Sequence, residues 1–242
     1  MKLLAIETSS NACSVALYQG DILASHDFKS MTRGHSEMLM PMIEDVMKGA
    51  QTPMGALNAI AVSIGPGAFT GLRIGISSAR ALGLALNIPV YGIPTPKLIA
   101  AKATYTPSGP LMVALETKRS DLYIEVFPTP YLNNDNPQGL GQQALSLEAA
   151  CLMAKDIIAQ GNGPLHLAGD GAARLQPLLD QDNIPYIHRS SDNLPTANIL
   201  GLVALAEIKK NPTTNPKPPE PLYIRPPDAT LPSKPALILQ GK

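Results

Sequence analysis

The sequence predicts an α/β fold of two lobes, and three observations carry that expectation. Apolar runs bounded by turn residues recur along the chain in an order of strands followed by helices. In each half a strand stops at a glycine turn and hands over to a helix, at 65–75 in the first half and at 169–172 in the second. A hydrophobic content of 45% over 242 residues is enough for one large or two small domains with a sizeable core. The expected division is an N-terminal lobe, 1–104, and a C-terminal lobe, 105–242, the latter ending in a proline-rich tail from about 211.

Taken in order, Leu3–Ile6 is an apolar strand, Ala12–Tyr18 alternates as a second, and Ile22–Phe28 gives a third. Glu7-Thr8-Ser9-Ser10-Asn11 reads as the first turn. Its hydroxyls and one acid either face a phosphate or metal, or satisfy their own backbone. Ser36–Lys48 follows as a helix, with Met38, Leu39, Met40, Met42, Ile43, Val46 and Met47 forming an apolar arc wider than one sheet contact requires. Such an arc implies that two surfaces are covered, and thioether side chains suit an adaptable interface as well as an irregular core.

Ala59–Ile64 is a strand that meets Gly65-Pro66-Gly67-Ala68-Phe69-Thr70-Gly71-Leu72-Arg73-Ile74-Gly75. Gly65 and Gly67 permit backbone angles closed to other residues, and Thr70 is placed to cap the helix that follows. A loop of this kind at a helix N-terminus suits an anion such as phosphate, or serves as a plain strand-to-helix turn. It is neither a Walker loop nor a dinucleotide fingerprint, because no Gly-Lys-Ser/Thr follows and the glycine spacing differs. Arg73 opposes the helix dipole and should be tied to a carboxylate or an anion, unless it points into solvent. In the helix Thr70–Leu86, Gly71, Gly75, Ala79 and Gly83 recur every four residues as one smooth stripe. Interior glycines cost about 1 kcal/mol each, so another backbone must approach closely there.

Pro89–Ile93 is a short strand and Thr95 opens a helix to about Ala103. Leu111–Leu115 and Leu122–Phe127 are strands of a hairpin turning at Glu116–Asp121; residues 128–143 read as irregular, and Ser146 caps a helix through Ala159. Leu165–Ala168 ends in Gly169-Asp170-Gly171 before a helix, Ala172–Leu179, and Thr196–Lys210 is the last helix. Prolines beyond it exclude a packed helix or sheet from the tail.

Composition narrows the function. Nineteen basic and nineteen acidic residues cancel, with no run of like charge that would mark a phosphate-backbone footprint, so any nucleic acid is expected to be reached through a partner. Cys13 and Cys151 lack zinc-type spacing and imply a reducing compartment, the cytoplasm. The N-terminal apolar stretch meets Glu7 too soon for a signal peptide, and no run approaches membrane-spanning length. His26, His35, His166 and His188 stand apart in sequence, so no metal site is expected.

Two lobes of this pattern, a hydroxyl-rich first turn and glycine turns in both halves suit an actin-like or sugar-kinase-like ATPase fold. Within it, Met1–Ser9 with Cys13–Leu17, His35-Ser36-Glu37 with Leu39–Ile43, and above all Gly65–Gly75 resemble the TsaB (YeaZ) family. Tyr123, Ala168-Gly169-Asp170-Gly171 and Pro221-Leu222-Tyr223-Ile224-Arg225 extend the resemblance over nearly the whole chain. The glycine stretch alone is shared with the related TsaD family. In that catalytic family a His-x-x-x-His pair after the glycine-opened helix binds metal; the corresponding segment here, Ile88–Ile99, contains no histidine.

Membership implies a non-catalytic dimerisation and scaffold subunit of the bacterial machinery that makes N6-threonylcarbamoyladenosine in tRNAs reading codons that begin with adenine. It implies a catalytic TsaD-like paralogue as partner, a TsaE-like ATPase joining the pair, tRNA reached only through the complex, and a homodimer when the chain is alone. Glu7, Ala68, Glu116, Lys118 and Asp121 depart from the family's aspartate, serine, Asp, Arg and Glu. Loss of the hydroxyl at Ala68 leaves at most weak ATP or ADP binding, at Gly65, Gly67, Thr70 and Arg73. The partner surface is expected on Met38, Leu39, Met42, Ile43, Val46, Gly71, Gly75, Ala79, Leu82 and Gly83. The rivals are a nucleotide-binding phosphotransferase or ATPase, which rests on fold analogy and the glycine loops, and a peptidase, which no Gly-x-Ser-x-Gly or zinc motif supports.

Overall fold

The computed structural model describes residues 1–103, 109–128, 139–161, 163–189, 194–212 and 216–225. The N-terminal lobe runs β1 (Lys2–Ser10), β2 (Ala12–Gln19), β3 (Ile22–Ser30), α1 (His35–Gly49), β4 (Ala59–Gly65), α2 (Phe69–Leu86), β5 (Val90–Pro94) and α3 (Thr95–Lys102). The second repeats the pattern: β6 (Leu111–Glu116), β7 (Asp121–Phe127), β8 (Gln143–Ser146), α4 (Leu147–Ala159), β9 (Leu165–Ala168), α5 (Ala172–Gln181), β10 (Tyr186–His188) and α6 (Ala197–Lys210).

Both sheets share one topology. The orders are β3-β2-β1-β4-β5 and β8-β7-β6-β9-β10, each an antiparallel meander of three strands with two parallel strands added beside the first. This doubled order is that of the actin-like and sugar-kinase-like fold, and the chain is an internal duplication of one βββαβαβα unit. The strands divide at 94 and 111, on either side of the expected lobe boundary.

Helices cover both faces of each sheet at its centre, which is why β1, β4 and β6 open as near-continuous apolar runs, whereas β3 at the edge is largely exposed. In β1, Leu4 and Ile6 point to α1 and α2 with Ile60, Val62, Leu39, Met42, Ile43, Val46 and Ile76. Leu3 and Ala5 alternate to the other face and meet α3, α6 and the inner face of the second sheet: Leu98, Leu111, Val113, Phe127, Leu200 and Val203 belong to the same core. A third core packs β6, β7 and β9 on α4 and α5. Helix α6 therefore returns to the N-terminal sheet. Tyr18 lies against Gly201, and its hydroxyl donates to the Asn198 carbonyl at 2.7 Å.

Several expectations need correction. Glu7–Ser10 is not a turn but the end of β1, where pairing with β2 breaks after Glu7 and resumes at Ser10–Ala12; polar side chains disguise the strand. Strand β8 starts at the last residue of the stretch read as irregular and fills the gap before the Ser146 cap, and neither it nor β10 is among the expected strands; each is short and weakly apolar. Thr70 does not cap α2. The N-cap is Ala68, and Thr70 lies inside the first turn. In the tail, 216–225 is extended with no helix or strand, as expected, and lies on the body with Pro219 buried; residues 226–242 fall outside the described residues. Ser146 does cap α4, accepting from the Ala149 amide at 3.2 Å.

Candidate functional site

The two glycine turns face one cleft. Gly65, at φ 104°, ends β4 and Gly169, at φ 102°, ends β9, so the duplicated halves each send a strand end and a helix start to the same opening. The cleft holds about 1060 Å³ and is lined by Ser9, Ser10 and Asn11, the loop Pro66–Arg73, Arg33–Ser36, the hairpin turn Glu116–Arg119, Asp170 and Pro221–Arg225.

On the N-terminal side the loop is locked to β1. The Ala68 amide donates to the Ser9 carbonyl at 2.7 Å, and a Cβ on Gly67 would strike that carbonyl. Thr8 Oγ1 donates to the Gly71 carbonyl at 2.8 Å, and Thr95 Oγ1 to Ser9 Oγ at 3.2 Å. The hydroxyls of Thr8 and Ser9 thus satisfy backbone and a neighbour, whereas Ser10 Oγ, at the cleft, is buried without a partner among the described residues. Glu7 lies beneath them, fully buried. Its Oε1 accepts from the Ser9 amide at 2.5 Å, and burial raises its pKa. Among the described residues Glu7 Oε2 and Ser63 Oγ are both buried without a partner.

Arg73 is exposed and meets aromatic side chains. Its Nε and NH2 donate to the Tyr223 hydroxyl at 3.2 and 3.0 Å, and its guanidinium lies 3.8 Å over the Phe69 ring. Among the described residues a phenol and a π face, rather than a carboxylate, meet this cation in the first turn. His35 Nε2 sits 3.2 Å from the Ala12 carbonyl, which requires that this nitrogen carry the proton and fixes α1 to β2.

On the C-terminal side Glu116 pairs with Arg174 at 2.6 Å, and Asp170 Oδ1 accepts from the Glu116 amide at 2.9 Å. Burial raises the Asp170 pKa. Asp121, buried at the start of β7, pairs with Arg225 and takes a hydrogen bond from Thr117. The sequence missed Tyr223 and Arg225 as cleft residues. Their signal is an aromatic and a cation at the end of a proline-rich run.

The proposed partner residues divide. Leu39, Met42, Ile43 and Val46 are buried on the chain's own sheet, as are Gly71, Gly75, Ala79 and Gly83. A side chain at Gly71 or Gly75 would strike Thr8, and one at Gly83 would strike Val90. The close backbone approach that the glycine stripe demands is met by β1 and β5, not by another protein. Met38 and Leu82 remain half exposed. The outer ridge of the two helices instead carries Met40 and Leu84, 39% and 86% exposed, with Pro41 and a second small stripe, Ser77, Ala81 and Ala85. No group of three or more His, Cys, Asp or Glu among the described residues could hold a metal ion, and no helix there is long and apolar enough to cross a membrane.

Comparisons with known proteins agree with this architecture. A family model described as TsaD, tRNA N6-adenosine threonylcarbamoyltransferase, matches residues 28–137. The tRNA threonylcarbamoyladenosine biosynthesis protein TsaB of Escherichia coli (strain K12) is 34% identical over 51% of this chain and 53% of its own length. TsaB of Buchnera aphidicola subsp. Schizaphis graminum (strain Sg) is 36% identical over 60% of this chain and 67% of its own. The E. coli match thus spans about half of that relative. A crystal structure from Pseudomonas aeruginosa, of an uncharacterized protein with similarity to peptidase YEAZ, superposes with a TM-score of 0.75 at 25% identity, covering 93% of this chain and 99% of that one.

Proposed function

From the premise that this chain belongs to the TsaB family, we propose that it serves the formation of N6-threonylcarbamoyladenosine in tRNA as a non-catalytic subunit. It binds a TsaD-like catalytic paralogue, a TsaE-like ATPase joins the pair, and tRNA is reached through the assembly. The observation that carries this reading is the state of the cleft. Glu116, Asp121, Asp170, His35 and Arg73 are each engaged in a structural contact, and Glu7 is sealed beneath the loop. These groups hold the cleft together instead of standing ready for proton or phosphoryl transfer.

The ridge of α1 and α2 is the proposed docking surface, for the paralogue and, in its absence, for a second copy. Exposed Leu84 and Met40 supply apolar area, and small residues at 77, 81 and 85 admit a close helix approach. Ala81→Arg and Leu84→Asp place charge on this ridge without touching the core. Copurification with the paralogue and dimerisation in size-exclusion chromatography should both be lost while circular dichroism stays native. Association that survives both substitutions refutes this surface. An ATPase reading is tested by phosphate release from the isolated chain, expected to be absent, and weak ATP or ADP binding at the loop by calorimetry.

A further inference from the structure

We propose that residues 216–225 are a strap that ties the two lobes across the open end of the cleft, so that the cleft widens only when the strap lets go. At its base the cleft is closed by the core shared between the two sheets, through α3 and α6. At its open end the strap contacts both lobes. Pro219 is buried beside Gly92 of β5, and the Leu222 amide donates to the Ile64 carbonyl at the end of β4 at 2.7 Å. The Tyr223 hydroxyl accepts both hydrogen bonds from Arg73, and its ring lies 6.2 Å from that of Phe69. Two residues further on, Arg225 pairs with Asp121 at the start of β7, in the other lobe.

The composition of the strap fits a latch. Prolines at 216, 218, 219 and 221 hold it extended before it docks, so little chain entropy is lost on docking and a few contacts suffice. Only Pro219 is fully buried among its ten residues, so docking rests on discrete polar latches at Tyr223 and Arg225 and can be released without disturbing a core. A partner or ligand that competes for either latch would thereby change the opening of the cleft. This proposal stands apart from the family-based function, because it concerns the isolated chain.

The test uses the full chain with spin labels at Thr32→Cys and Ser120→Cys, exposed positions on the two sides of the cleft; both native thiols are buried and stay unlabelled. In the chain carrying Tyr223→Ala and Arg225→Ala, the Leu222 amide should exchange with solvent deuterium roughly tenfold faster or more, while Val62 in the same sheet is unchanged. The distance distribution between the labels should broaden toward longer values. Should that chain fail to fold, Tyr223→Phe removes only the two hydrogen bonds from Arg73 and is read by the same two quantities. An unchanged distance distribution overturns the proposal, whether or not the amide is released. So does a Leu222 amide that exchanges as freely in the unaltered chain as in the altered one.

Discussion

At the residue scale, the buried polar groups around β1 decide how the glycine loop is held. Glu7 is enclosed with one oxygen bonded and the other facing no partner, and burial raises its pKa above the ordinary 4.5. A raised folded-state value means that Glu7 favours the fold fully below the ordinary value, and that this contribution is lost as pH climbs through the raised one. Glu7→Gln keeps an acceptor for the Ser9 amide, offers an N–H to Ser63 Oγ, and has no charge to bury. It should therefore gain melting temperature over the unaltered chain, increasingly so from acid to neutral pH, by about 2–4 °C for each kcal/mol relieved. Parallel pH profiles for the two chains would contradict this. Glu7→Ala instead leaves the Ser9 amide without its acceptor and should cost about 1–3 kcal/mol. Little of this was legible beforehand. Spacing marked Glu7-Thr8-Ser9 as a polar cluster, but whether its hydroxyls face a ligand or the backbone depends on the approach of Gly71, 63 residues away in sequence.

At the element scale, periodicity located helices α1 and α2 within a residue at each end, because apolar spacing and glycine recurrence are local properties. Which face each helix turns to its own sheet was not local. The stripe at 71, 75, 79 and 83 correctly required a close neighbour, yet a strand and a partner helix make the same demand on sequence. With the stripe on the sheet, the consequence of substitution changes. Gly75→Leu drives a side chain into Thr8 and should destabilise by about 3 kcal/mol or more, whereas Ala81→Leu, on the exposed ridge, should stay within about 0.5 kcal/mol. Thermal melts of the two variants distinguish the cases. Equal melting temperatures would place the stripe outside the core. Strands β8 and β10 escaped for a related reason: four and three residues carry too little alternation to signal, and pairing with β7 and β9 gives them their form.

At the scale of the whole molecule, five layers alternate: α1 and α2, the first sheet, α3 and α6, the second sheet, then α4 and α5. The middle layer belongs to both lobes, since α6 follows the second sheet in sequence but packs on the first. Two-lobe duplication was legible from the repeated strand, glycine turn and helix; the exchange of α6 was not, because nothing in its apolar pattern names the sheet it covers. A shared middle layer couples the lobes, so heat should unfold the chain in one transition with equal calorimetric and van't Hoff enthalpies. Two separated transitions would show that each lobe folds on its own core. The central claim is that this chain supports catalysis by another and performs none itself, and reconstitution of threonylcarbamoyl transfer to tRNA tests it most directly. The chain alone should modify no tRNA, and addition of it to the TsaD-like paralogue and TsaE-like ATPase should restore modification, with the Leu84→Asp chain failing to do so. Transfer by the chain alone, or full activity of the other components without it, would contradict the account.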